Sequence, residues 1–256
     1  MRYTRRFWFG VRCALSVQWG TPYRRRYNSE VGSVENGLDI FGNALLSYSS
    51  GNSDAALLVH TEGFEPYELP VSVFFRPADY YPIDKLALTL CKGKVLDIGA
   101  GVGEQSIYLQ NNGFDITALD VSAAACRIMT ARGINSVINQ DIFESRLDAC
   151  FDTWLLLGRS IGAVGTVSKL LLFLQLAKNN LSQTGQIVLN SISNANQPVT
   201  RKVSFEFSGV KGAAVNWLDI DRLSLESLAK QCGFRTEIVR VEDDGNYLAV
   251  LRKAEL

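Results

Sequence analysis

From Lys94 onward, short apolar runs alternate with longer segments in which apolar residues recur at helical spacing. The predicted strands are at 95–98, 115–120, 136–141, 151–157 and 185–192. Helices are predicted after the first, second and fourth of these strands, and Ser122 and Thr166 stand where two of the helices should begin. Apolar strands that alternate with helices predict a parallel sheet covered on both faces, which is a doubly wound α/β fold.

At the two ends of the chain, the predicted helices and strands do not alternate regularly. Upstream, the pattern predicts a small cap of helix, strand, aromatic segment and helix, at 40–48, 56–61, 74–82 and up to Leu90. Downstream, it predicts two extra strands, a helix begun by Asp221 and two terminal strands, at 203–207, 213–218, 221–232, 234–241 and 247–253. Only the turn 242–246 separates the last two strands, so we expect an antiparallel pair with a solvated turn. The predicted fold is a mostly parallel seven-stranded sheet with a C-terminal antiparallel hairpin.

Arginine is concentrated at the start of the chain. Residues 1–29 hold seven of the 26 basic residues and no acid, which leaves 19 basic against 26 acidic residues in the remainder. This arginine-rich segment fits a disordered basic arm, a targeting peptide or an over-extended start. We divide the chain into this arm at 1–29, the cap at 30–90 and the α/β domain at 91–256. The acidic remainder argues against nucleic acid as a partner.

Cysteine and histidine usage narrows the chemistry. The five cysteines form no C-x-x-C pair, and His60, in a predicted strand, is the single histidine. A metal site, a disulfide framework and Ser-His-Asp hydrolysis are therefore disfavoured. The best apolar stretch, 161–177, contains Lys169, so no membrane span is predicted. We expect a cytoplasmic protein, or a mitochondrial one if residues 1–29 are a targeting peptide.

The strongest local feature is the loop Gly99-Ala100-Gly101-Val102-Gly103 after the first strand of the sheet. Glycine at every second position lets the backbone approach a ligand that a Cβ would block. A dinucleotide site needs G-x-G-x-x-G, but the sixth position here is Glu104, whose carboxylate would repel a pyrophosphate. Asp97 adds a second negative group before the loop. Both acids favour a ligand with cationic character and no phosphate.

This loop resembles motif I of the class I S-adenosylmethionine-dependent methyltransferases, D/E-x-G-x-G-x-G, and S-adenosylmethionine carries a sulfonium and an ammonium group. The resemblance implies that Asp120 binds the ribose hydroxyls, that Asp141 accepts from the adenine amino group and that Ile142 lies on the adenine ring. The cofactor residues that it implies are Asp97, Gly99, Ala100, Gly101, Gly103, Asp120, Val121, Asp141 and Ile142. The stretch 75–166 is also similar to uncharacterised bacterial methyltransferases of the methyltransferase-domain type.

The acceptor side departs from the pattern of such relatives. Gly158-Arg159-Ser160 stands where an Asn-Gly pair is common, and Asn190 stands where acids are common. The absence of an Asn/Asp-Pro-Pro-aromatic motif disfavours methylation of nucleobase or glutamine amide nitrogens. We expect a small-molecule acceptor, in a pocket that includes Arg76, Tyr80, Tyr81, Arg159, Ser160 and Trp217. No catalytic residue is assigned, because methyl transfer needs alignment in a dry pocket more than a dedicated acid or base.

Two other classes of protein stay open. A non-catalytic relative that binds S-adenosylmethionine, or only a protein partner, would fit the altered acceptor positions. A nicotinamide-dependent oxidoreductase would fit the parallel sheet, but Glu104 and the antiparallel ending speak against it.

Overall fold

The computed structural model describes residues 37–147, 150–193 and 195–254, so the predicted arm at 1–29 lies outside the described residues. The strands in chain order are β1 (Ala56–Thr61), β2 (Tyr67–Pro70), β3 (Lys94–Ile98), β4 (Asp115–Asp120), β5 (Val137–Asn139), β6 (Phe151–Leu156), β7 (Leu181–Ile192), β8 (Val199–Phe207), β9 (Val210–Lys211), β10 (Val215–Asp219), β11 (Phe234–Val241) and β12 (Asn246–Lys253). The helices are α1 (Gly37–Ser49), α2 (Pro82–Leu90), α3 (Glu104–Asn111), α4 (Ala123–Ala131), α5 (Val167–Asn180) and α6 (Arg222–Gln231), with 3-10 turns at Val71–Phe75 and Ser160–Val164.

Seven strands form the main sheet, in the order β11-β12-β7-β6-β3-β4-β5. β3, β4, β5, β6 and β7 are parallel, and β12 runs antiparallel to both β7 and β11. The sheet buries Leu96, Trp154 and Leu189 against helix residues such as Phe173 and Leu225. The predicted fold, a parallel sheet with a C-terminal antiparallel hairpin, is confirmed.

Local sequence signals begin the helices as predicted. Ser122 Oγ accepts a hydrogen bond from Ala125 N at 3.2 Å, and Asp221 Oδ1 accepts one from Ser224 N at 3.0 Å. Thr166 begins α5 in the same way. Each side chain satisfies an N–H group that has no partner within its helix.

The third strand of the parallel sheet is shorter than predicted. β5 ends at Asn139, which pairs with Asp120, the last residue of its one neighbour β4. Because β4 ends there, the chain beyond Asn139 has no strand to pair with. Asp141 therefore lies in the turn after β5 and not at the end of the strand.

A second, antiparallel sheet joins two distant segments of the chain. Its order is β10-β8-β1-β2, with β9 paired to β8. The two predicted extra strands are confirmed as β8 and β10, but β2 was not predicted. His60 of β1 lies 2.9 Å from Glu206 of β8, measured between Nε2 and Oε2, so this histidine links the two segments.

Helix α1 joins the second sheet to the main domain. Ile40 and Leu45 of α1 pack in one cluster with Val59 and Phe205 of the second sheet and with Ile128 of α4. The second sheet thus lies on the main domain through an apolar contact. Within the described ranges, no helix is long and apolar enough to cross a membrane.

Candidate functional site

Three strand ends meet at one edge of the main sheet. β3, β4 and β5 are parallel neighbours, so their carboxyl ends lie side by side where α/β proteins bind ligands. Asp97 lies in β3, Asp120 ends β4, and Asp141 follows β5. The structure therefore brings these three predicted cofactor residues to one edge.

The loop between β3 and α3 turns on glycines in the left-handed region, with φ values of 70° at Gly99, 59° at Gly101 and 82° at Gly103. A Cβ added at Gly103 would collide with Ile134. At Gly101, by contrast, no heavy atom of the described residues lies within 4 Å of an added Cβ. The backbone at Gly101 is therefore open to a ligand.

Asp120 connects the end of β4 to this loop. Its Oδ2 accepts a hydrogen bond from Gly101 N at 2.8 Å, and its Oδ1 accepts one from Ser122 N at 2.8 Å. Burial raises the pKa of Asp120, and the backbone N–H donors oppose that rise. The carboxylate is held in one orientation beside the glycine loop.

Asp97 is buried behind the loop and is only 3% exposed. Ser106 Oγ donates a hydrogen bond to its Oδ2 at 2.7 Å. Burial raises the pKa of Asp97 to about 7, the Ser106 hydrogen bond opposes that rise, and the charge of Asp120 adds to it. A cationic ligand group nearby would favour the ionised carboxylate.

The remaining predicted cofactor residues surround the ends of β4 and β5. Asp141 Oδ1 accepts a hydrogen bond from Phe143 N at 3.0 Å, and Ile142 is buried in the main core. Val121 is 44% exposed. Asn139 Nδ2 donates to the carbonyl oxygens of Asp120 and Val121, at 3.1 and 2.9 Å, which ties the two strand ends together.

A cavity of about 270 Å³ lies at the same edge, beyond β6, β7 and the start of β12. Its walls come from the segment between β2 and α2, the loop after β6, the end of β7 and the turn between β11 and β12. The lining residues are Leu69, Val73, Phe74, Arg76, Tyr81, Pro82, Ile83, Asp84, Gly158, Arg159, Asn190, Glu242, Asp243, Asp244 and Asn246.

Arg76, Tyr81 and Arg159 of the predicted acceptor pocket line this cavity. The Arg76 guanidinium lies 4.6 Å from the centre of the Tyr81 ring and donates to Val73 O. Its Nη2 lies 3.3 Å from Asp84 Oδ2. Burial raises the pKa of Asp84, and the charge of Arg76 opposes that rise.

The other three predicted acceptor residues lie elsewhere. Tyr80 is 63% exposed and meets Tyr81 edge-on at 4.9 Å between ring centres. Ser160 Oγ donates to Ile98 O at 3.0 Å, behind the glycine loop. Trp217 packs against Gly162, where an added Cβ would collide with its indole. Their assignment to the acceptor stays a prediction without support from the cavity.

Arg159 joins the main sheet to the second sheet. It is 5% exposed, has a φ of 62°, and its guanidinium forms a buried ion pair with Asp219 of β10. Its backbone N donates to Asn190 Oδ1 at 2.9 Å, and Asn190 Nδ2 donates to Asn246 Oδ1 at 3.1 Å. Positive φ at a residue other than glycine is sparsely populated and is found at functional sites.

Sequence reasoning did not assign Asp84 or Asn246 to the site. Asp84 stands in the first turn of α2, where an acid is common for the stability of the helix alone. Asn246 belongs to the turn that was predicted to be solvated, yet it is only 8% exposed. Asp243 and Asp244 are exposed as predicted but also line the cavity. No pattern in the sequence signals a cavity between segments so far apart.

Metal and disulfide chemistry find no support in the part of the chain that the structure describes. It contains no group of His, Cys, Asp or Glu residues that could hold a metal ion. Cys91, Cys126, Cys150 and Cys232 are free, and Cys13 lies outside the described residues.

Known structures share this fold. A S-adenosylmethionine-dependent methyltransferase from Bacteroides fragilis, in complex with S-adenosyl-L-homocysteine, is 26% identical, with a TM-score of 0.80 over 86% of this chain and 97% of that chain. The 1,6-didemethyltoxoflavin-N1-methyltransferase of Burkholderia thailandensis is 15% identical, with a TM-score of 0.54 over 90% and 94%. CalS10, an amino pentose methyltransferase from Micromonospora echinaspora, is 15% identical, with a TM-score of 0.52 over 76% and 100%.

The sheet order and the glycine loop define a class I S-adenosylmethionine-dependent methyltransferase. The family model of the tellurite resistance protein TehB matches residues 83–212, just over half of the chain, and the chain belongs to this family. No curated protein sequence matches it at a significant level.

Proposed function

We propose that the protein binds S-adenosylmethionine at the carboxyl ends of β3, β4 and β5 and transfers its methyl group to a small molecule in the cavity beside Arg159. The hydrogen bond between Gly101 N and Asp120 carries this proposal. It holds a carboxylate beside an open stretch of backbone, which suits a ligand with hydroxyl donors. The Bacteroides fragilis relative is described in complex with S-adenosyl-L-homocysteine.

The residues fit this cofactor. The space facing Gly101 admits a ligand close to the backbone. Asp120 would accept hydrogen bonds from the ribose hydroxyls, because a carboxylate offers about four acceptor positions and the backbone donors do not use all of them. Asp97 would offset the ammonium charge, and Asp141 and Ile142 would hold the adenine. Glu104, at the start of α3, disfavours the pyrophosphate of a nicotinamide cofactor.

When bound, S-adenosylmethionine supplies an electrophilic methyl group on a sulfonium. The chain contributes alignment and the exclusion of water. The apolar walls at Leu69, Phe74 and Ile83 would keep the acceptor dry. The ion pair between Arg159 and Asp219 fixes the position of Arg159 in the wall of the cavity. No residue is assigned as a general base.

The size of the cavity supports a small acceptor. A volume of about 270 Å³ is just below the usual range for small-molecule sites, which begins at about 300 Å³. Two of the structures with the same fold are described as methyltransferases of 1,6-didemethyltoxoflavin and of an amino pentose, which are small molecules.

Calorimetric titration with S-adenosylhomocysteine and S-adenosylmethionine tests the cofactor, with NADH as a negative control. Asp120→Ala should abolish binding of both sulfur ligands, because it removes charge-assisted hydrogen bonds. Asp115→Ala is the matched control: Asp115 begins the same strand, is exposed and should leave both affinities unchanged. Equal affinity of wild type and Asp120→Ala would refute the ribose assignment.

Turnover separates an enzyme from a non-catalytic relative. Production of S-adenosylhomocysteine over a broad acceptor panel should exceed the rate without acceptor. Cofactor binding without turnover on any acceptor would instead favour the hypothesis that the protein is a non-catalytic relative that binds S-adenosylmethionine.

A further inference from the structure

We infer that the cavity selects a small amine that also carries an oxygen, such as an amino alcohol or amino sugar, through Asp84 and Asn246. The inference rests on the proposed function, since it names the acceptor class of the same site.

The orientation of Asn246 follows from a chain of hydrogen bonds. The backbone N of Arg159 is a donor only, so the Asn190 atom 2.9 Å away must be its oxygen. The Asn190 Nδ2 then donates to Asn246 Oδ1 at 3.1 Å. This arrangement leaves Asn246 Nδ2 as a donor, and within the described ranges it has no hydrogen-bond partner.

Asn246 is 92% buried and lines the cavity, given its exposure of 8%. Its Nδ2 atom is not one of the fully buried side-chain atoms without a partner, so this donor remains accessible from the cavity. An oxygen of the ligand would supply an acceptor for it. Because Asn246 Nδ2 is a donor, we expect the molecule that occupies the cavity to carry a hydroxyl, ether or carbonyl oxygen.

Asp84 supplies the complementary group. It is 3% exposed and lines the cavity, and its Oδ2 lies 3.3 Å from Arg76 Nη2. Its Oδ1 has no hydrogen-bond partner among the residues that the structure describes. A carboxylate oxygen only accepts, so the ligand must bring an N–H or O–H donor, and an ammonium also brings the matching charge.

The charge of the lining favours a cation over an anion. Arg76 and Arg159 are the guanidinium groups of the lining, and four carboxylates share it with them, from Asp84, Glu242, Asp243 and Asp244. Arg159 is already paired with the buried Asp219, Arg76 and Asp84 offset each other, and Glu242 is paired with Arg240, so Asp243 and Asp244 give the lining its negative balance.

The test uses full-length protein saturated with S-adenosylhomocysteine, titrated with ethanolamine and glucosamine as probes. Glucose lacks the amine and cyclohexylamine lacks the oxygen, so these two compounds test whether each group is needed. Selenite tests whether the cavity binds an oxyanion instead. We expect at least one amino alcohol to bind at least about tenfold more tightly than its matched analogue. Failure of both amino alcohols to bind, or equal or tighter binding of glucose, cyclohexylamine or selenite, would overturn the inference.

Isosteric variants then assign the residues. Asn246→Asp replaces the Nδ2 donor by an acceptor, and Asp84→Asn removes the carboxylate charge. Each variant should therefore bind the amino alcohol at least about tenfold more weakly than wild type, a change of about 1.4 kcal/mol in the free energy of binding. Asn216→Asp and Asp79→Asn make the same changes at exposed positions and should bind the probe like wild type. Titration with S-adenosylhomocysteine verifies that each variant is folded. Wild-type affinity for the amino alcohol in both Asn246→Asp and Asp84→Asn would contradict the assignment.

The two proposals fail at different steps. If the wild-type protein does not bind S-adenosylhomocysteine, the proposed function fails and the acceptor inference falls with it. If it binds S-adenosylhomocysteine but prefers selenite or glucose, the acceptor class alone is wrong.

Discussion

The guanidinium of Arg159, just after β6, forms a buried ion pair with Asp219 of β10, 60 residues further along the chain. The two side chains are 6% and 8% exposed. The pair joins the carboxyl edge of the main sheet to the second sheet beside the cavity. Arg201 of β8 approaches the same carboxylate, with its Nε 3.9 Å from Asp219 Oδ2.

Asp219→Asn should lower the free energy of unfolding by about 3–5 kcal/mol, because it leaves the buried Arg159 charge without its partner. Urea denaturation measures this change. Glu237→Gln is the control: it breaks the exposed ion pair with Arg252 and should cost about 0–1 kcal/mol. Similar losses in the two variants would show that the buried pair contributes no more than a surface pair.

Gly101→Ala should separate ligand binding from backbone strain. The substitution costs about 1 kcal/mol for a side chain at positive φ, and the added Cβ enters the space where the cofactor would lie. Gly113→Ala is matched, since its φ is 85° and its Cβ also meets open space, but it lies in the turn after α3. Measured by calorimetry, Gly101→Ala should bind S-adenosylhomocysteine at least about tenfold more weakly than Gly113→Ala. Equal affinities in the two variants would place the ligand elsewhere.

Replacing Asp97 by asparagine should stabilise the fold at pH 8 but weaken the binding of the cofactor. The pKa of Asp97 is raised from 3.8 to about 7, so the folded protein retains a proton that the unfolded chain releases between these values. Stability contributed by this group therefore falls as the pH rises through that window. Asp97→Asn should melt at a higher temperature than wild type at pH 8, and this difference should shrink as the pH falls and become small only near and below pH 3.8, where the Asp97 carboxyl is protonated in both the folded and the unfolded chain.

The same Asp97→Asn variant should bind S-adenosylhomocysteine more weakly at pH 8, because it lacks the negative charge that, under the proposed function, would offset the ammonium group of the ligand. Asp115→Asn, at the exposed start of β4, should change neither property. We expect that, in the absence of ligand, the ionised and buried Asp97 carboxylate destabilises the fold. A lower stability of Asp97→Asn than of wild type at pH 8 would contradict this expectation.

Gly162→Ala should disturb the contact between the 3-10 turn after β6 and the second sheet. The added Cβ collides with the Trp217 indole, so we expect a loss of about 1–3 kcal/mol in the free energy of unfolding. The loss should shrink when Trp217→Leu is introduced as well, since the smaller side chain makes room. Denaturation of the two single variants and the double variant gives this coupling. An additive result would mean that the two residues do not act through that contact.

The elements that sequence reasoning predicted well are those that local signals determine. The glycine loop, Ser122, Thr166 and Asp221 each stand where a backbone turn or a helix start requires them. The strand at 136–141 was too long in prediction, because its end depends on where β4 stops and not on its own residues.

The acceptor side could not be predicted equally well, since it depends on contacts between distant segments. β2 is a strand because β1 offers it an edge, and its own four residues carry little pattern. Trp217 resembles a pocket residue in sequence, yet Gly162 leaves a space that its indole fills. Asn246 follows a polar turn and therefore looks exposed in the sequence, yet it is buried and accepts a hydrogen bond from Asn190, 56 residues earlier in the chain.

The second sheet also sets a condition on how the protein folds. Its central pairing brings Val59 against Phe205, which are separated by more than half of the chain. Closing so long a loop is entropically costly and slows folding when many contacts depend on it. During synthesis β1 must wait for β8 to leave the ribosome, so the main sheet can begin to form first. The second sheet, which contributes Leu69 to the cavity and pairs with its Arg159 through Asp219, would therefore be among the last parts of the molecule to assemble.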